Sequence, residues 1–140
     1  MNLIDLHCDT LMHLQDNGEK YHLKENALCV DLEKLKQAGS IAQFFACFIN
    51  MGRFQGEDAC DKAYEYALQM LERGKWEVAQ NANEITSART VSELMDNQAQ
   101  GKMSAFFTIE EGGIVDGKME RLEELYEKGI RLITPLWNWE

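Results

Sequence analysis

The chain has 140 residues, of which 45% are hydrophobic and 27% charged, and this composition predicts one globular domain with a single modest core. The formal net charge of -10 argues against a nucleic-acid partner, because phosphate binding depends on clustered lysine and arginine. Without a run of about 18 apolar residues or a basic and then apolar leader, we expect no membrane span, no secretory signal and a cytoplasmic protein.

Leu3 to Leu6 form an apolar run that predicts a first strand ending in His7-Cys8-Asp9. Since side chains alternate along a strand, Asp5, His7 and Asp9 are expected on one face and Cys8 on the other. An imidazole and a carboxylate held side by side suit zinc or a similar divalent ion. Asp5 would lie one layer deeper, where it could orient a ligand or cap backbone groups.

The rest of the chain alternates between helical and extended patterns, with a period of about 3.6 in the helices and near-continuous apolar runs in the strands. A short helical or irregular excursion is expected at 10–17. Helices are predicted at 32–38, 57–74, 76–79, 91–100 and 119–128. Strands are predicted at 41–49, 102–110 and 130–136, with a short extended piece at 84–88.

Strands that alternate with helices predict a parallel sheet with right-handed crossovers, either an open doubly wound sheet or a barrel. A doubly wound nucleotide binder would carry a glycine-rich turn after its first strand, and this chain has none. Polar residues at the carboxyl ends of strands favour the barrel. A complete barrel needs roughly 250 residues, so we expect about half of one, with unpaired edges at its first and fourth strands.

Glu111, followed by Gly112-Gly113, comes at the end of the third long apolar run. By strand parity Glu111 shares a face with Phe107, and we predict that it meets His7 as a bridging and catalytic carboxylate. Glu110 is expected to point the opposite way, toward helices or solvent. Two ions about 3.5 to 4 Å apart can activate a shared water and polarise a carbonyl, which predicts hydrolysis of an amide or a related group. The glycine pair permits either a close approach or a plain turn.

Trp137 and Asn138 follow the last predicted strand and are candidates for lining a substrate pocket. An aromatic cluster in this position is also compatible with simple packing. The four cysteines, Cys8, Cys29, Cys47 and Cys60, have no Cys-x-x-Cys spacing and are expected to be reduced and mostly buried.

Four blocks of the chain resemble, in order, the amino-terminal half of the membrane (renal) dipeptidase family, peptidase family M19. The blocks are residues 3–11, 39–45, 111–113 and 129–134. The resemblance covers nearly the whole chain, and it implies one domain over residues 1–140, part of a TIM-type (β/α)8 barrel of the metal-dependent hydrolase superfamily.

The same resemblance implies a zinc-dependent dipeptidase that holds two zinc ions and cleaves dipeptides, often with a D-residue on the carboxyl side. Carried over to this chain, His7 and Asp9 would bind one zinc and Glu111 would bridge to the second. The family's two remaining histidine ligands, and the Arg and Asp that bind the substrate termini, come from later strands, so this chain would hold the zinc site only in part.

Two other functions remain open at this point. Another amidohydrolase-type hydrolase, such as a deaminase or lactonase, could use the same scaffold, although His-x-Asp in place of His-x-His favours the dipeptidase. A truncated, non-catalytic fragment could instead self-associate or pair with the missing carboxyl-terminal half. A small dipeptide substrate, without nucleic acid or membrane, is the partner that the first hypothesis predicts.

Overall fold

The apolar runs along the chain form a parallel sheet, and the computed structural model describes it over residues 2–137. Within that range five strands alternate with five α-helices and three short 3-10 turns. The strands are β1 (Leu3–Asp5), β2 (Ser40–Phe48), β3 (Ile85–Ser87), β4 (Met103–Glu110) and β5 (Ile130–Thr134). The helices are α1 (Thr10–Asn17), α2 (Leu32–Gln37), α3 (Ala59–Gln80), α4 (Val91–Ala99) and α5 (Met119–Glu127). The 3-10 turns are Gly18–Lys20, Met51–Arg53 and Gly112–Val115.

The sheet has the order β1-β2-β4, and all of its pairs are parallel. The far edge of β4 is shared by two strands. The short extended piece, β3, pairs with residues 103–105, and β5 pairs with residues 107–110. The carboxyl ends of β1, β2, β4 and β5 therefore lie at one edge of the sheet.

Local sequence signals account for two helix starts. Asp31 Oδ1 accepts a 2.8 Å hydrogen bond from Lys34 N at the start of α2. The Thr90 to Glu93 sequence forms a capping box at the start of α4, because Thr90 Oγ1 accepts from Glu93 N at 3.2 Å and Glu93 Oε2 accepts from Thr90 N at 3.0 Å.

The predicted helix 57–74 does not end at Gly74, because α3 continues through this residue to Gln80 and includes the predicted helix 76–79. A Cβ atom at this position would lie 2.9 Å from Leu11 Cδ1 and 2.9 Å from Phe107 Cε1. Glycine is thus used here for close packing of α3 against α1 and the sheet.

The main core lies between one face of the sheet and the helices. Leu11 and Leu14 of α1, Met70 of α3, and Phe45 and Ile109 of the sheet are all 0 or 1% exposed. Burial of these side chains supplies most of the driving force for docking the helices on this helix-facing side.

The opposite face of the sheet carries a smaller apolar cluster near the middle of β2 and β4. Phe44 and Phe106 stack there with ring centroids 4.6 Å apart, and Leu94 of α4 packs against the same small cluster. Asn97 Nδ2 of α4 donates a 3.0 Å hydrogen bond to Ser104 Oγ. On this face β4 stays buried through Thr108, which is 2% exposed, and Glu110 at its carboxyl end is the first residue that reaches solvent.

All four cysteines are free thiols, and they differ in exposure. Cys8 and Cys47 are buried, Cys60 is half-buried and Cys29 is exposed. Burial raises the pKa of Cys8 to about 11 and the pKa of Cys47 to about 12, so both are protonated at neutral pH. No helix within residues 2–137 combines the length and apolarity that crossing a bilayer requires.

Candidate metal centre

Three side chains that can ligate a metal converge at the carboxyl ends of β1 and β4. They are His7, Asp9 and Glu110, with one ligand atom of each lying within 4.8 Å of the others. His7 Nε2 lies 3.2 Å from Asp9 Oδ1 and 3.1 Å from Glu110 Oε2. The side chains of His7 and Asp9 are 48% and 46% exposed, whereas that of Glu110 is 14% exposed, so the cluster opens to solvent on the β1 side.

A β-bulge after β1 determines which way this cluster points. Asp5 pairs beside Gln43 of β2. Cys8 N donates a 3.1 Å hydrogen bond to Phe44 O, and Cys8 O accepts a 2.9 Å hydrogen bond from Ala46 N. Cys8 therefore lies beside Phe45. Asp5 and Cys8 are three residues apart in the chain, whereas Gln43 and Phe45 opposite them are two apart. The extra residue is a bulge, and it moves the side chains that follow to the opposite faces of the sheet.

The bulge corrects one expectation about Asp5. Asp5 and Cys8 share the helix-facing side, so Asp5 does not share a face with His7 and Asp9 as strict alternation predicted. Asp5 Oδ1 instead accepts a 3.3 Å hydrogen bond from the backbone N–H of His7. This contact braces the bulge, and a wider role of Asp5 in orienting a metal ligand stays a prediction.

Glu110, and not Glu111, is the carboxylate that β4 brings to His7. The parity of the strand is as predicted, but Phe107 and Ile109 are 3% and 0% exposed in the core beneath the helices. The face that they share is therefore the helix-facing side, and Glu110 points away from the helices. Glu110 was expected to point toward helices or solvent, and this expectation is wrong because its carboxylate lies beside His7 on the other face.

Glu111 lies outside the cluster in which the sequence placed it. It is 1% exposed and adopts a left-handed backbone conformation with φ 100°. Its Oε1 accepts a 2.9 Å hydrogen bond from Gly113 N. Its role as a metal ligand and catalytic carboxylate stays a prediction that the geometry of residues 2–137 does not support.

The electrostatics of the cluster fit a bound cation. Burial raises the pKa of Glu110, the neighbouring His7 opposes this shift and the negative charge of Asp9 adds to it. Glu110 Oε2 is buried, and its contact with His7 lacks hydrogen-bond geometry, so it has no hydrogen-bond partner among the described residues. One nitrogen and two carboxylate oxygens in this arrangement form the type of donor set that zinc and similar divalent ions bind.

Aromatic side chains lie beside the cluster. Phe48 pairs in register with Glu110, and Trp137 contacts Phe48 edge-on with ring centroids 4.8 Å apart. Trp137 is 40% exposed, so part of its ring faces solvent next to the cluster. Its predicted role in substrate binding stays a prediction, and Asn138 lies outside the described residues.

Comparison with known proteins places this arrangement in a family. The sequence model of the family described as Membrane dipeptidase (Peptidase family M19) matches residues 1–140. A curated relative from Acinetobacter calcoaceticus, described as an uncharacterized protein in the PQQ-III 3' region, is 25% identical over 153 residues, which is 97% of this chain and 49% of the relative. The chain thus spans about half the length of the curated relative that it matches.

Two similar solved structures cover nearly the whole chain. A metallopeptidase of family M19, described as dipeptidase AC, is 23% identical with a TM-score of 0.85. The match covers 98% of this chain and 43% of the dipeptidase chain. A metallopeptidase from Rhodobacter sphaeroides, liganded with a phosphinate mimic of the dipeptide L-Ala-D-Ala, is 20% identical with a TM-score of 0.81. This match covers 98% of this chain and 46% of the metallopeptidase chain. The α/β fold described above therefore corresponds to the amino-terminal part of a TIM-type barrel, as predicted.

Proposed function

The chain belongs to the membrane dipeptidase family, peptidase family M19, and on this premise we propose that it forms the amino-terminal half of a zinc-dependent dipeptidase. The observation that carries the proposal is the convergence of His7, Asp9 and Glu110. The cluster lies at the carboxyl ends of parallel strands, where barrels of this type keep their active sites.

In this proposal His7, Asp9 and Glu110 hold one zinc ion. The two carboxylates balance the charge of the divalent ion, and the neutral imidazole supplies a nitrogen ligand through Nε2. Zinc supplies electrophilic catalysis at such a site, since it polarises carbonyl groups and favours the ionisation of water. Glu110 takes the place that the sequence assigned to Glu111.

A dipeptide is the proposed substrate. Support comes from the Rhodobacter sphaeroides relative, which is liganded with a mimic of L-Ala-D-Ala. In this chain Phe48 and Trp137 offer an apolar wall beside the cluster, and the open side at His7 offers an entrance. A second zinc ion would depend on donors beyond the three-residue group found within residues 2–137.

Metal content and peptidase activity test this function together. The purified protein is expected to bind zinc and, in the form that carries the complete site, to hydrolyse a panel of dipeptides that includes L-Ala-D-Ala. His7→Ala and Asp9→Asn should each lower the zinc content, while His13→Ala, at an exposed histidine of α1, should not. Zinc binding that is equal in His7→Ala and the unaltered protein would refute the assignment of the site.

A second candidate function is self-association of a non-catalytic half-barrel, and exposed apolar residues favour it. Among the described strands, β1 pairs only with β2 and β5 only with β4, so each has an unpaired edge. Ile4, Leu6 and Leu132 are 45%, 61% and 40% exposed near these edges. Unpaired edges beside apolar side chains promote association between chains. Light scattering after size-exclusion chromatography tests this candidate, since a zinc-free oligomer supports it and a zinc-binding monomer contradicts it.

A further inference from the structure

The backbone of Glu111 adopts a conformation that side-chain-bearing residues rarely take. Its φ of 100° and ψ of 85° lie in the left-handed region, and Asp116 is the only other non-glycine residue with positive φ between residues 2 and 137. Glu111 directly follows Glu110, the last residue of β4, and precedes the 3-10 turn Gly112–Val115. A strained position next to a proposed metal ligand calls for a functional explanation.

The side chain of Glu111 is buried in a way that holds this turn. Oε1 accepts the 2.9 Å hydrogen bond from Gly113 N and so caps the first turn of Gly112–Val115. Oε2 is buried and has no hydrogen-bond partner among residues 2–137. A buried carboxylate with one unpaired oxygen is unfavourable for stability, which argues against a merely stabilising role.

Neighbouring segments leave little freedom to the turn that Glu111 begins. The carbonyl of Glu110 accepts a 3.1 Å hydrogen bond from Ile49 N, which fixes the end of β4 against the end of β2. A Cβ atom at Gly112 would lie 2.9 Å from Pro135 Cα, and one at Gly113 would lie 2.8 Å from Glu111 Oε1. The chain must therefore turn sharply at Glu111, and both glycines are needed for the close approach.

We propose that Glu111 is a positioning residue for the metal centre. Its capped, left-handed turn ends β4 at Glu110 and keeps the Glu110 carboxylate directed at His7, so Glu111 raises metal affinity without being a ligand. This inference rests on the proposed function of the cluster as a metal site. It differs from the sequence-based assignment, in which Glu111 binds the metal itself.

Two substitutions at Glu111 separate positioning from ligation. Glu111→Gln keeps an acceptor oxygen for Gly113 N, so a positioning role predicts metal affinity close to that of the unaltered protein. Glu111→Gly adopts positive φ without strain but loses the cap, so the protein should fold while its affinity falls by about tenfold or more, as for other residues that orient ligands. Glu110→Gln, which alters the proposed ligand, should weaken binding at least as much.

Asp116→Gly is the matched control, because it relieves the other non-glycine positive φ at an exposed position and should leave affinity unchanged. The measurement is titration of the purified protein with Co²⁺, followed by its visible absorption bands, and then competition with Zn²⁺. Denaturant unfolding of each variant reports stability separately.

The outcomes distinguish the inference from the function beneath it. An unaltered protein that binds neither Co²⁺ nor Zn²⁺ would overturn the proposed function and the inference with it. If the unaltered protein binds and Glu110→Gln weakens binding, then unchanged affinity in Glu111→Gly overturns the positioning role alone. Equal losses in Glu111→Gln and Glu111→Gly, with a changed Co²⁺ spectrum in Glu111→Gln, would identify Glu111 as a ligand and also overturn it.

Discussion

Glu110 Oε2 lies 3.1 Å from His7 Nε2, although the two side chains come from strand segments that are separated by β2. Contact across an intervening strand requires that both side chains leave the sheet on the same face and at the same height. The bulge after β1 provides this for His7, and the end of β4 provides it for Glu110. This contact joins two elements distant in the chain into one candidate centre.

Zinc should stabilise the folded protein through this centre. An ion that binds only the folded state adds about 2.7 kcal/mol to the free energy of unfolding at a concentration of a hundred times its Kd. We expect the melting temperature to rise with zinc and to fall back when a chelator is added. The same titration on Asp9→Asn should show a much smaller rise, and an equal rise in both proteins would mean that zinc binds elsewhere.

Replacing Gly74 by alanine should destabilise the protein, although alanine normally favours a helix. The new methyl would lie 2.9 Å from Leu11 and Phe107, which are 1% and 3% exposed and have little room to move. Overpacking of this kind costs about 1 to 3 kcal/mol, which exceeds the gain in helix propensity of about 1 kcal/mol.

Urea unfolding measures the effect of Gly74→Ala, and a double variant with Leu11→Val supplies the control. Because valine is shorter than leucine, it should make room for the new methyl, and the two changes should then cost less together than their sum. Strict additivity would show that the contact with Leu11 is not the cause.

Glu77, which is 1% exposed in α3, should be important for stability. Its Oε1 accepts from Arg73 Nη2 at 2.8 Å and lies 3.1 Å from His22 Nδ1, and its Oε2 accepts from Leu23 N at 2.9 Å. Glu77→Ala would leave the half-buried Arg73 and the buried amide of Leu23 without this partner, at a cost of about 3 kcal/mol.

Chemical denaturation compares Glu77→Ala with Glu72→Ala, a variant at an exposed glutamate of the same helix. Glu72 forms a surface ion pair with Lys75 at 3.0 Å, and its loss should change the free energy of unfolding by less than about 1 kcal/mol. Similar effects of the two substitutions would show that the contacts of Glu77 with Arg73 and Leu23 do not stabilise the fold.

Asp31 should make stability depend on pH in the acid range. Burial by itself raises the pKa of this carboxyl, but hydrogen bonds from the side chain and backbone of Lys34 and from the backbone of Asn26 lower the pKa below its usual value overall. A carboxyl whose pKa is lower in the folded state stabilises the protein fully above its unfolded pKa of about 3.9 and loses that contribution as pH falls through its folded pKa.

Asp31→Asn removes the charge and retains a side chain that can cap α2. The variant should be less stable than the unaltered protein at pH 7, and the difference should shrink below about pH 4, because protonation then removes the same charge from Asp31. Urea unfolding between pH 3 and pH 7 measures both curves. A difference that stays constant over this range would exclude Asp31 as the titrating group.

Some features followed from short stretches of sequence, because they depend on local geometry. Alternation along an extended chain placed His7 and Asp9 on one face, and the Thr90 to Glu93 pattern specified a helix start. The spacing of apolar runs and amphipathic segments was sufficient for a parallel α/β sheet. The first two depend on residues close together in the chain, and the third depends only on the order of segments that can each be recognised locally.

The choice between Glu110 and Glu111 could not be read in this way. Residues 103–109 of β4 are buried on both faces, so their hydrophobicity carries no signal for which face meets the helices. The bulge after β1 could not be predicted either, because a bulge is defined by the register of the neighbouring strand, here β2. In both cases the sequence shows that side chains alternate between two faces of the sheet, but it does not show which face meets the helices.

The amino-acid sequence by itself determined the order of strands and helices, the pairing of His7 with Asp9 and the family to which these patterns belong. The tertiary structure alone decided that Glu110 joins them and that Glu111 turns into the interior. The physical reason is that side-chain alternation is a property of one strand, whereas the face that remains open to bind a cation is set by the helices and strands packed around it.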